Sequence, residues 1–166
     1  MKRLIYLLLL IILAIALQTT IFAAPTLFNV APNLILLLTI FAGFHGGEVK
    51  GSIVGFTGGI LLDHFSVHPV GLGAFSQTIA GTLSGILRSR LYRESIFAQL
   101  LVTFIASVAS LLSFLLLKLV FGLLSPITPE GIIFPVVINT ILAPLLFPVL
   151  RRLLKEGDRN SWMLDK

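Results

Sequence analysis

Four stretches of this chain are almost empty of charge: 4–47, 51–87, 95–129 and 131–150. Within them the only groups ionised at neutral pH are Asp63 and Lys118. A soluble domain has too little interior to hide that much apolar chain. A bilayer's hydrocarbon core takes about 20 apolar residues per helical crossing, so the four stretches predict several membrane-spanning helices. Charged residues make up 11% of the 166 residues, against roughly 25% in soluble domains. Too little polar chain is left for a separate soluble domain. The expected fold class is an all-α integral membrane protein, with one transmembrane bundle over 1–150 and a basic tail over 151–166.

Prolines, glycines and charges divide the apolar chain into six spans, at about 4–24, 32–44, 51–65, 72–87, 95–124 and 132–150. Pro32 suits the first position of the second helix. Residues 45–50 read as a polar, glycine-broken turn, 66–71 as a turn around Pro69, and 125–131 as a turn around Pro126 and Pro129. The fifth span is long enough to tilt. Pro135, Pro144 and Pro148 are expected to kink or loosen the sixth. The first span outruns the 7–15 apolar residues of a secretory signal, and Ala23-Ala24-Pro25 lacks A-x-A spacing. It is therefore expected to be retained.

Six crossings put both termini on one side. Of the 12 lysines and arginines, all but Lys118 then fall on that side, which the positive-inside rule makes cytoplasmic. The net charge of +5 gathers at the ends of apolar runs and forms no solvated stripe. It sets orientation and offers Arg88, Arg90, Arg93 and the tail to anionic lipid. It does not indicate a nucleic-acid partner. Trp162 suits the headgroup level. The absence of cysteine excludes disulfides, thiolate metal sites and cysteine nucleophiles.

Gly51, Gly55 and Gly59 form one side-chain-free row, and Gly81 and Gly85 another, with Gly73 and Gln77 aligned to it. Thr103, Ser107 and Ser110 give span 5 a small polar face. In lipid such faces let helices approach closely. They serve either packing within the bundle or docking of a partner's helix. Asp63 lies near the outer end of span 3, where a carboxylate costs less than the about 2.5–3.5 kcal/mol it costs at a helix centre. It either bonds the following turn or faces a cavity or partner. His64 and His68 stand four apart beside it, but Pro69 breaks the face that a metal site needs. Lys118 either snorkels outward or pairs with Asp63. Enzyme constellations are missing: Asp63 has no second intramembrane acid, and there is no nucleophile turn, phosphate-cradling loop or acid cluster for a metal. No cofactor is implied.

The run Pro32-Asn33-Leu34-Ile35-Leu36-Leu37 opens a pattern that continues through Gly51-x-x-x-Gly55 to Leu61-Leu62-Asp63-His64-Phe65-Ser66 and then Pro69-Val70-Gly71-Leu72-Gly73. It resembles the rod-shape-determining MreD family, as do the length and six-span layout. The resemblance implies a non-catalytic scaffold in the bacterial cytoplasmic membrane. It also implies association with MreC and, through it, with MreB, a SEDS-type glycosyltransferase and a penicillin-binding transpeptidase. The implied fold is like that of the substrate-binding subunits of energy-coupling-factor transporters. Asp63, Ser66, Pro69, Gly71 and Gly73 carry over as family-like. Asn33 replaces the commoner acid, and the histidines lie outside the pattern. The alternative is a solute-binding subunit of a vitamin transporter, with Asn33, Thr39, Asp63, Gln77 and Asn139 as its polar groups.

Overall fold

A computed structural model of the chain describes residues 2–20, 32–66, 69–92, 94–123 and 129–156. The described residues form six helices: α1 (Lys2–Thr20), α2 (Leu34–Gly46), α3 (Glu48–Asp63), α4 (Leu72–Leu87), α5 (Ile96–Val120) and α6 (Pro129–Glu156). There is no strand among the described residues. Two helical segments, Ile96–Val120 and Ile133–Leu153, are long and apolar enough to cross a membrane. Leu9–Gln18 and Leu34–Gly46 are shorter apolar helices. His68, Arg93, Pro126, Trp162 and the Ala23-Ala24-Pro25 run lie outside the described residues.

α2 occupies the centre. Every residue from Ile35 to Phe44 is buried, as expected of a helix that is apolar on all sides. One side of it, with Leu37, Ile40 and Phe44, packs on Ala80 of α4, on Ala98, Val102 and Ala106 of α5, and on Ala143 and Phe147 of α6. The other side, with Ile35, Leu38 and Ala42, meets Ile11 and Ile15 of α1 and Val54 of α3. α5 turns its small polar row inward, with Gln99, Thr103, Ser107 and Ser110 all buried. Its bulky residues, such as Leu112 and Leu116, stay exposed.

Several helix boundaries differ from the sequence reading, each for a local reason. Pro32 precedes the second helix instead of starting it. The cap is Asn33, whose side-chain oxygen accepts from the Leu36 N–H at 2.9 Å. Residues 45–50 are no extended turn: α2 runs through Gly46, α3 starts at Glu48, and Gly47 alone separates them. Its φ of 94° is open to glycine and strained for other residues. The sixth helix starts at Pro129 and passes through Pro135, Pro144 and Pro148 without ending. It continues to Glu156, well into the stretch read as a tail.

α3 and α4 approach until backbone meets backbone. A Cβ placed on Gly55 would lie 2.5 Å from the Gln77 carbonyl oxygen and 2.9 Å from the Thr39 methyl carbon Cγ2. One on Gly51 would overlap the Gly81 carbonyl oxygen, and one on Gly59 the Ala74 Cα. Gly85 sits just as tightly against Glu48. The rows thus mesh residue by residue, 51 with 81, 55 with 77 and 59 with 74. Gly43 of α2 closes the third side against Gly81, Ser84 and Gly85.

At the opposite edge, Arg151 of α6 donates to Glu94 in the loop before α5 at 2.8 Å, an exposed pair. The hydrogen bond and the positive charge of Arg151 hold the Glu94 carboxyl below its ordinary value.

Two outcomes follow from this packing. Gly55→Leu forces α3 off α4, where overpacking costs about 1–3 kcal/mol or more. Its thermal unfolding midpoint in detergent should therefore fall sharply; an unchanged midpoint contradicts the tight interface. A depressed carboxyl stabilises above its ordinary pKa, and that contribution fades as pH falls through the folded value. The wild type should accordingly lose a small increment of stability under acid that Arg151→Met lacks at every pH. Parallel acid dependence in both proteins would remove the pair from the account.

Candidate functional site: the capped turn between α3 and α4

The Asp63 side chain is built into the backbone that follows it. α3 ends at this residue, whose main-chain oxygen accepts from the Ser66 N–H at 3.1 Å. The chain then returns to start α4 beside it. Asp63 Oδ2 accepts from the N–H groups of Gly71 at 2.7 Å, Gly73 at 3.1 Å and Ala74 at 3.1 Å. Oδ1 also accepts from Gly73 at 3.1 Å. Asp63 is 4% exposed. It does for α4 what an N-cap side chain usually does, but from another helix. The first N–H groups of a helix have no partner within it, and their dipoles favour a negative charge at that end. One buried acid and one buried helix start thus satisfy each other.

Neighbouring residues make this geometry possible. Gly71 has φ 113°, a left-handed conformation that turns its N–H to the carboxylate. Gly73 leaves room for it, since a Cβ there would overlap Oδ1. Ser66 is exposed and its hydroxyl donates to the Leu62 carbonyl at 3.0 Å. Pro69 is exposed in the turn. The family-like residues therefore divide into an inner set (Asp63, Gly71 and Gly73) and an outer rim (Ser66 and Pro69).

The other polar candidates lie elsewhere. His64 is exposed, with Nδ1 2.9 Å from its own helix's Ile60 carbonyl. Among the described residues no group of histidines and acids could hold a metal ion. Lys118 is buried, with Nζ 5.8 Å from the centre of the Phe114 ring. Asn139 on α6, 2% exposed, accepts from the Asn33 N–H at 2.9 Å and ties the start of α2 to the middle of α6. Thr39 and Gln77 are buried in the interior, alongside the glycine rows.

The Asn33–Asn139 link and the tight fit of Gly43 were not foreseen. Asparagine after proline does signal a cap, and Ala42-Gly43 is a small pair inside an apolar run. Nothing in spacing alone connects residue 33 with residue 139.

Asp63→Ala strips the acceptor from three N–H groups. Replacing a capping residue with alanine costs about 0.5–2 kcal/mol, and hydrogen bonds to a charged group carry about 1.5–3 kcal/mol each. The expected order of unfolding midpoints is wild type, then Asp63→Asn, then Asp63→Ala. An alanine variant as stable as wild type would contradict the cap.

A family model described as rod shape-determining protein MreD matches residues 1–156. No curated protein and no solved structure matches the chain. The match covers all six helices, the Asp63 turn included, and with two long apolar helices it points to a membrane protein with a role in rod-shape determination. The chain belongs to the MreD family.

Proposed function

We propose that the chain is a non-catalytic, six-span scaffold of the bacterial cytoplasmic membrane, with both termini in the cytoplasm. Its partner is MreC, through which it connects to MreB, a SEDS-type glycosyltransferase and a penicillin-binding transpeptidase, and so to peptidoglycan synthesis and cell shape. Its fold is of the kind found in substrate-binding subunits of energy-coupling-factor transporters. Family membership supports the assignment to the shape machinery. The observation that carries the scaffold role is the use made of the polar groups. A solute site needs converging side chains that are free to meet a ligand. Of the five residues that could supply them, Asp63 caps α4, Asn33 caps α2, and Asn139 holds the Asn33 N–H; that leaves Thr39 and Gln77, whose buried Oγ1 and Oε1 have no hydrogen-bond partner, and two such atoms are too few to enclose a solute. The glycine rows and the family-like turn serve to hold the helices in one rigid arrangement, on which a partner's single helix can lie.

The protein should co-purify from detergent with MreC in fixed stoichiometry. Cysteines placed at the two chain ends should both be shielded from an impermeant reagent in intact cells. A stoichiometric vitamin with no protein partner would replace the scaffold by the transporter reading. Ends labelled on opposite sides would overturn the six-span topology.

A further inference from the structure

Two cationic side chains lie over the joint between α2 and α3. The stem of Lys50 folds back along Gly46: a Cβ placed there would lie 2.8 Å from Lys50 Cδ and 3.1 Å from Lys50 Cβ. A Cβ on Gly47 would lie 3.2 Å from Nη1 of Arg88. The two contacts fall on adjacent residues. One cation from the first turn of α3 and one from the end of α4 therefore meet at the same glycine pair. The end of α4 comes this close because Gly85 has no side chain and packs directly on Gly47 and Glu48.

Charge and surface at this end favour an anion with an apolar body. Among the described residues of 46–50 and 87–92 stand Lys50, Arg88 and Arg90 against a single acid, Glu48. Lys50 is exposed and Arg88 half-buried. Both also have partners within the protein. An ammonium carries three N–H donors and a guanidinium five, so each can meet a phosphate as well, and the guanidinium fork suits two phosphate oxygens at once. Arg151 on α6 differs, because the Glu94 carboxylate neutralises it at 2.8 Å. Beside the cations, Val49 and Ile53 of α3 and Ile86 of α4 are exposed. A free phosphate would use the cations but not these apolar side chains.

We propose that Lys50 and Arg88 hold the phosphate of an anionic phospholipid over Gly46 and Gly47, with its acyl chains along Val49, Ile53 and Ile86. The inference rests on the membrane reading above. Basic pockets between helices at the cytoplasmic surface take such headgroups. The bound lipid joins the start of α3 to the end of α4 at the point where α2 gives way to α3, and so reinforces the glycine-packed helices at their charged end.

Native mass spectrometry in detergent tests it, with phosphatidylglycerol and phosphatidylcholine as the probes. Wild type should bind phosphatidylglycerol in preference to phosphatidylcholine. Lys50→Gln combined with Arg88→Gln should weaken phosphatidylglycerol binding more than tenfold. Lys50→Gln alone, read should the double variant fail to fold, should weaken it about fivefold. Arg152→Gln, which removes one exposed charge from α6, should bind as wild type does. Equal binding of both lipids by wild type, binding of neither, or a loss in Arg152→Gln as large as in Lys50→Gln overturns the inference. So does displacement of phosphatidylglycerol by equimolar inorganic phosphate, which would make this a site for the free anion. Those outcomes leave the membrane reading intact. A protein that stays in solution without detergent overturns that reading, and the inference with it.

Discussion

Close approach of backbone to backbone between α3 and α4 governs the rest of the molecule. In hydrocarbon there is no water to expel from between two helices, so association depends on how many atoms can touch. Glycine supplies that contact here by letting the main chains of the two helices meet directly at Gly51, Gly55 and Gly59. α2 then lies over the joint, with Gly43 against Gly81 and the Thr39 methyl in the space that side chains at 55 and 81 would fill. The three helices form one rigid slab. α5 and α6 pack on it with larger apolar side chains, Val102 and Phe147 among them.

Two of the buried polar side chains, Asp63 and Asn139, serve the same end. A helix end inside an apolar setting leaves N–H groups that water cannot reach. The chain answers at two places with side chains distant in sequence. Asp63 meets the first turn of α4, and Asn139 meets the first residue before α2. Both helix starts therefore depend on tertiary structure, and neither helix is complete until its partner has packed. The acid that looks most like a catalytic or ligand-binding group is engaged by main-chain donors on both of its oxygens.

Much of this was legible in the sequence because it rests on local rules. Charge-free runs marked the helices, and the α4 bounds of 72 and 87 follow from Gly71 and Arg88 on either side. The four-residue glycine spacing located the tight rows, and the family-like Leu-Leu-Asp turn located Asp63. What escaped depended on geometry that spacing does not encode. A single glycine at 47 replaces a six-residue turn because its positive φ reverses the chain in one step. The asparagine link spans over a hundred residues. α6 runs past Leu150 to Glu156, into the stretch read as a tail, with Pro135, Pro144 and Pro148 inside it. The fate of Asp63, left open between a turn and a cavity, is decided by where α4 begins.

The joint between α2 and α3 is one residue long. Gly47 donates its N–H to the Gly43 carbonyl and accepts from the Gly51 N–H, so both of its main-chain groups are spent on the two helices it joins. Spreading the pair apart therefore breaks main-chain hydrogen bonds as well as side-chain contacts, and the hinge acts as a clasp.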